Sequence, residues 1–272
     1  MRRLPEAVKD ASARLCVLPL LLAPVGNPDI FWHLAAAGRM LAAHRLPRDD
    51  AFSYTRLGAP WVDFEWLFEL AALGFQSLGG WAGLWLLKAV LWALAAALVE
   101  GLGRLSGGAK RGRLLLVLWC AASLGRAELK PELLSLILLL SELWLLEAAS
   151  RGRWPVPRAA AAAGLGALFF AAWANLHAGF AAGLAVLACY AALGPRSLRP
   201  AAWAALAAGA LGTLANPYGW GVWVVLADHA RWMGTLSGAI LEWGPLLWRN
   251  GYHVPQLLLL IAAGAACAGA AA

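Results

Sequence analysis

The sequence predicts an all-α fold: a polytopic transmembrane helical bundle with a long extracytoplasmic first loop that carries membrane-surface helices. Three observations predict it. Hydrophobic residues make up 62% of the chain and charged residues only 14%, well short of the roughly one quarter that a soluble domain carries. Several apolar stretches approach the roughly 20 helical residues needed to cross a hydrocarbon core, and nowhere does the chain show the period-2 alternation of a membrane barrel. The basic residues stand in short clusters between the apolar runs, which is how cytoplasmic loops look under the positive-inside rule.

The elements follow in order. Arg2, Arg3, Lys9 and Arg14 accompany an apolar run at 15–25. With no convincing small-x-small cleavage site and more spans behind it, this run is predicted as an uncleaved first span. Residues 27–66 form the extracytoplasmic loop. The stretch 65–79 is amphiphilic, with Glu65 and Glu69 one turn apart. Apolar helices are then expected at 81–102, 114–124, 132–149, 159–174, 178–193 and 201–214. The segment 220–232 is aromatic and interrupted by Asp228, His229 and Arg231, so it is assigned to the membrane interface. A last apolar run starts at Val254 and continues to Ala272, the ending expected of an incomplete form of a longer protein. The whole of 1–272 reads as a single transmembrane domain.

Parity gives these elements sides. If the first span exits and 65–79 does not cross completely, all four basic clusters fall in the cytoplasm: the N-terminal one, Arg104 to Arg113, Arg151 to Arg158, and Arg196 with Arg199. The polar motifs RAELKPE (126–132), WANLH (173–177), NPYGW (216–220) and LEW (241–243) then share the outer side with the 27–66 loop. The net charge of +7 is thereby accounted for by loops, and a nucleic-acid partner, which needs one continuous basic face, is not expected. Cys16, Cys120, Cys189 and Cys267 lie in apolar runs without a CxxC pair. They read as buried free thiols, not as a disulfide framework or zinc site.

Chemistry is sought in the 27–66 loop and the polar breaks. Asn27-Pro28-Asp29 has the form of a helix start, with Asn capping, Pro at the first helical position and Asp near the positive end of the dipole. Ile30, Leu34, Ala37 and Leu41 then repeat along one face, as in a helix lying on the membrane surface. Asp29 and His33 are four residues apart, a spacing that suits a carboxylate tuning an imidazole for acid/base work; a plain helix-start Asp is the competing reading. Asp63 and Glu65 open an apolar helix, where an ionised group is costly unless paired or wetted. They could position a hydroxyl or hold a divalent cation, or only cap the helix; the metal, if any, is not specified. Arg126 and Lys130, interleaved with Glu128 and Glu132, could bind a phosphate or pair with those acids. Asn175, His177 and Glu242 are single polar residues at helix junctions, notable for their convergence on one face.

Together these residues resemble the polytopic GT-C-type membrane glycosyltransferases, particularly the bacterial relatives of protein O-mannosyltransferases and lipid A aminoarabinose transferases. Asp29 stands where that family's catalytic acid follows the first span. Gly58-Ala59-Pro60-Trp61-Val62-Asp63-Phe64-Glu65-Trp66 stands where its loop re-enters the membrane, and 126–131 resembles its Arg-containing motif. The likeness covers about the first half of the chain. Members often carry two adjacent acids where Asp29 is here followed by Ile30. The pattern D-x-x-W-H-L with a later FSYT and EWL is also similar to a branch of uncharacterised bacterial membrane proteins.

The resemblance implies a sugar donor on a polyprenyl phosphate and a site facing the periplasm or exterior of the bacterial inner membrane. Asp29 is then the general base on an acceptor hydroxyl of unknown identity, with His33 orienting it and Glu65 positioning the acceptor. Arg126 and Lys130 stabilise the departing phosphate. Asp63, Asn175, His177 and Glu242 fall among the substrate-binding residues. No nucleotide cofactor is implied, in keeping with the lack of a phosphate-cradling Gly-rich loop. The alternative is a non-catalytic membrane protein: a lipid or solute transporter, or an assembly partner in the cell envelope.

Overall fold

The structure, a computed structural model, describes residues 5–236 together with 247, 253–254, 256–257 and 260–261. Among these the protein is all-helical: α1 (Glu6–Arg14), α2 (Leu18–Leu22), α3 (Asp29–Ala43), α4 (Trp66–Ser123), α5 (Pro131–Ser150), α6 (Ala159–Ala174), α7 (Phe180–Leu193), α8 (Arg199–Gly212) and α9 (Gly221–Leu236). One isolated antiparallel bridge, Asp49 to Pro60, closes the loop between α3 and α4. Glu242, Cys267 and most of the apolar run after Val254 lie outside the described residues.

The helix ends follow from local chemistry. Asn27 Oδ1 accepts the Asp29 amide at 2.7 Å, while α3 itself begins at Asp29 with Pro28 in the cap position, one residue later than the expected start. His44 ends that helix in the left-handed region (φ 50°), with the Arg45 amide reaching back to the Met40 carbonyl. Lys130 is extended and Pro131 opens α5, where a missing amide costs nothing.

The 58-residue α4 is not a straight rod, which would be about 85 Å long. Gly80 (φ 58°) and Gly108 (φ 76°) leave the right-handed region and break it into legs 66–79, 81–107 and 109–123. The chain reverses at both. Phe68 and Ala72 share a core cluster with Leu84. Trp92 and Trp119, about 40 Å apart on a straight helix, have ring centroids 5.5 Å apart. The expected polar loop at 103–113 is therefore a tight reversal with helix on both sides of Gly108.

Among the described residues two helical runs are long and apolar enough to cross a membrane, Trp66–Arg126 and Pro131–Ser150, and the shorter α6 and α7 are also apolar. Over the expected first span, 15–25, a 3-10 turn at Leu15–Val17 leads into α2 and the backbone leaves the helix at Ala23. Pro19 and Pro24 lie at either end of α2 and restrict its extension. The segment assigned to the interface is an uninterrupted helix within α9.

The chain forms two compact units. One comprises the described residues of 1–23, 92–127 and 228 onward; the other comprises 24–91 and 128–227. In the first unit, Arg104 lies 2.8 Å from Asp10 and 2.6 Å from Glu100, Arg14 lies 2.9 Å from Glu100, and Arg113 lies 2.8 Å from Glu6 and 2.7 Å from Asp10. The acids of α1 thus clamp the basic residues around the Gly108 reversal.

The second unit has two cores. Phe170, Trp173, Phe180, Leu184, Leu187 and Val222 make one; Ile30, Phe68, Ala72, Leu84 and Leu129 make the other. Small residues let α6 and α8 approach closely, since a Cβ at Gly166 would stand 2.5 Å from the Ala205 carbonyl oxygen. That is the packing by which apolar helices associate without large side chains.

Candidate functional site

The polar residues of the second unit meet where α3, the start of α4, the start of α5 and the α6–α7 junction come together. The loop is tied down first. Arg48 donates to the Pro217 carbonyl at 3.0 Å and lies over the Tyr218 ring, while the Tyr218 hydroxyl donates to the Pro47 carbonyl at 2.9 Å. Asn175 then staples three elements. Its Nδ2 donates to the carbonyls of Ala171 and Ala215, and its Oδ1 accepts the Trp66 indole N–H at 3.0 Å. With both donors and an acceptor engaged, Asn175 builds the site instead of offering itself to a ligand.

α3 presents Ile30, His33, Ala36, Ala37 and Met40 as its buried side. This corrects the expected apolar stripe: Leu41 is exposed, and His33 occupies the buried face. The proposed tuning of His33 by Asp29 is also corrected. His33 Nδ1 lies 3.0 Å from Glu69 Oε1, whereas Asp29 is half exposed and lies 3.4 Å from Lys130 Nζ. Although four residues apart, the two side chains serve different partners. Lys130 also lies 3.6 Å from Glu128, which accepts a hydrogen bond from Asn27 at 2.8 Å. The rim is an ion-paired group of Asp29, Lys130 and Glu128.

Below the rim the site is acidic and buried. Asp63 and Glu69 are 2% and 0% exposed. Asp63 Oδ1 accepts the Glu65 amide at 3.3 Å, in the turn just before α4, while Asp63 Oδ2 and Glu69 Oε2 have no hydrogen-bond donor. Two acceptor-only oxygens left in this way call for a proton between the carboxyls. Burial pushes Asp63 up to about 6. Glu65 goes up to about 8, through burial first and then the nearby charges of Glu132, Asp63 and Asp29, with Lys130 opposing. Burial drives the imidazoles the other way: His33, with Lys130 as a second cause, falls to about 3, and His177 to about 4. Both histidines are neutral near pH 7, so the His33–Glu69 contact is a hydrogen bond sharing one proton.

Glu65 sits between the two imidazoles. Oε2 is 3.9 Å from His33 Nδ1 and Oε1 is 3.7 Å from His177 Nε2, both beyond hydrogen-bond length. The tautomer of His177 follows from its other nitrogen. Nδ1 faces the Gly179 amide at 3.1 Å and the Ser135 hydroxyl at 2.8 Å. An amide can only donate, so Nδ1 is the acceptor and the proton is on Nε2, toward Glu65. Ser135 in turn accepts the Trp173 indole N–H at 2.7 Å. A chain of donors runs Trp173, Ser135, His177, and the His177 Nε2–H is turned toward Glu65 at 3.7 Å, short of a hydrogen bond.

The structure therefore brings together Asp29, His33, Asp63, Glu65, Lys130, Asn175 and His177 within one unit. Arg126 ends the short 3-10 turn Leu124–Arg126 in the other unit, and Glu242 lies outside the described residues. Sequence reasoning missed three members. Glu69 had a signal, its place one turn after Glu65. Trp173 had one in its place at the head of the WANLH motif, and Ser135 had none, because a serine inside an apolar helix is ordinarily bonded to its own backbone. Among the described residues, no three His, Cys, Asp or Glu side chains form a group that could hold a metal ion. No family model, curated protein or solved structure matches this chain.

Proposed function

We propose that this protein transfers a sugar from a polyprenyl-phosphate-linked donor to an acceptor hydroxyl at the outer face of a bacterial inner membrane, as a polytopic helical enzyme of the GT-C type. Glu65 carries the reading: a largely buried carboxyl between two neutral imidazoles, raised to about 8, close to the operating range of a general base.

In the reaction the acceptor oxygen bonds to the anomeric carbon of the sugar. The bond from that carbon to the phosphate oxygen breaks, and its electron pair leaves with the lipid phosphate. The hydroxyl proton passes to Glu65. Lys130, held at the rim by Asp29 and Glu128, meets the charge that develops on the phosphate. Asp29 is thereby reassigned from base to positioning group, since it is half exposed and ion-paired while Glu65 is poised. Arg126 has no part in the reading.

Two features support a polytopic arrangement. The reversals at Gly80 and Gly108 divide α4 into three legs, and the salt bridges of α1 gather two basic clusters at one place, as a common cytoplasmic side requires.

The test is release of label from a radiolabelled sugar on polyprenyl phosphate by the purified chain in nanodiscs, with a membrane extract as acceptor. Covalent transfer that depends on Glu65 and Lys130 is expected. Wild-type rates in Glu65→Gln, or substrate movement across liposomes with no covalent product, overturn the reading, the second in favour of a transporter.

A further inference from the structure

A second buried acid lies away from this site. Glu142, on α5, is 6% exposed, and neither of its carboxyl oxygens has a hydrogen-bond partner. It lines a cavity of about 630 Å³ bounded by α5, α6, α7 and α8, whose other walls include Leu146, Leu165, Phe169, Leu187 and Ala205. That volume is within the range of small-molecule sites, and Glu142 is the one ionisable residue among those lining it.

The carboxyl lies against Gly183, where a Cβ would stand 2.8 Å from Oε2 and nearer still to the Trp173 ring. The missing side chain is what leaves room for it. An ionisable group in such surroundings needs a partner, and the described neighbours supply none.

We propose that this cavity binds a membrane-partitioned hydrophobic amine, its apolar body against the walls and its ammonium paired with the Glu142 carboxylate. Both oxygens are buried as they stand, so pairing requires the carboxyl to turn from Gly183 toward the cavity that the same side chain lines. Charge selects the occupant. A lipid phosphate is repelled by Glu142, and a bare hydrocarbon tail accounts for the walls but leaves the carboxyl unanswered. An amine satisfies both, and a paired, hydrogen-bonded charge is the form in which a carboxylate is tolerated in apolar surroundings. This inference is independent of the transferase reading.

The experiment is equilibrium binding of radiolabelled 1-aminoadamantane, a compact apolar body with an amine charged at neutral pH, to the full chain in phosphatidylcholine nanodiscs. Empty nanodiscs are subtracted, and the isosteric 1-adamantanol is run in parallel. Saturable binding at one amine per chain is expected, at least about tenfold tighter than the alcohol. Glu142→Gln is expected to lose about that factor for the amine and leave the alcohol unchanged. Leu165→Trp, at a position 61% exposed that lines the cavity, should weaken both by filling it. Equal binding of amine and alcohol to the wild type, unchanged amine affinity in Glu142→Gln, or no saturable binding above empty nanodiscs overturns the proposal. Should Glu142→Gln fail to fold, the wild-type amine-to-alcohol ratio and Leu165→Trp decide it.

Discussion

The two units contain ionic clusters of opposite design. Around α1 and the Gly108 reversal, each of Glu6, Asp10 and Glu100 faces an arginine at 2.6–2.9 Å. The carboxyls outside the long helix respond accordingly: hydrogen bonds from Lys9 and Arg113 pull Glu6 down, and those from Arg104 and Arg113 pull Asp10 down. In the other unit, Asp63, Glu65 and Glu69 face imidazoles and one another, and Asp63 and Glu65 are pushed up. The first arrangement satisfies its charges and has nothing left to do but hold helices together. The second leaves charge unsatisfied, which a fold tolerates only where something is gained, and such displaced titrations gather at functional sites.

Removing one acid from each cluster separates the two designs. Glu65→Gln is expected to lower the transfer rate by about 10²–10⁴-fold, the usual contribution of a general base. The unfolding midpoint in detergent should hold or rise, because a costly buried acid has been replaced by a neutral isostere. Glu100→Gln should do the reverse. Transfer is retained, while stability falls by about 1–3 kcal/mol as Arg14 and Arg104 lose a buried partner, less than a fully buried pair because both arginines reach solvent. Both quantities are measured on both variants, and loss of activity without loss of stability in Glu100→Gln would erase the distinction.

The next effect is in pH. A carboxyl at about 8 when folded and near 4.3 when unfolded is protonated only in the native state between those values. Stability from this group is therefore full at low pH and is lost as pH rises toward 8. The histidines, lowered to about 3 and 4, act oppositely: their contribution is present above about 6.5 and lost as pH falls toward those values. Between about pH 6.5 and 8 the histidines are silent and Glu65 adds a falling slope of its own. The midpoint should fall across that window more steeply in the wild type than in Glu65→Gln. The transfer rate should rise across it as the base ionises. Equal slopes in the two proteins would show that Glu65 titrates normally.

Much of this arrangement was legible because polar residues stand out in an apolar chain. The 27–66 loop, Lys130, Asn175, His177 and the NPYGW turn were each marked by composition alone, and the segment ends at Gly79 and around 103–113 coincide with the two reversals. Partner choice was not legible. Spacing along α3 put Asp29 with His33, but the helix is packed so that its buried face runs through His33 to Glu69, and Asp29 is left to Lys130. Nor does a sequence say whether an acid in a helix is answered. Glu100 has Arg104 four residues on in its own helix, but its second arginine, Arg14, comes from far along the chain, and Glu142 meets none.

The smallest effect probes how the unsatisfied cluster is kept in order. Ser135 is a positioning residue: it links the Trp173 indole to His177 Nδ1 and touches no reacting atom. In Ser135→Ala the indole N–H loses its acceptor, at a cost of about 1–3 kcal/mol, but the Gly179 amide still donates to Nδ1. Nitrogen NMR of labelled His177 is therefore expected to show a shifted Nδ1 resonance with the proton still on Nε2. The transfer rate should fall by no more than about tenfold, because that amide alone fixes the tautomer. If the proton instead moves to Nδ1, the hydroxyl and not the amide sets the direction in which His177 faces Glu65, and the loss of rate should approach that of Glu65→Gln.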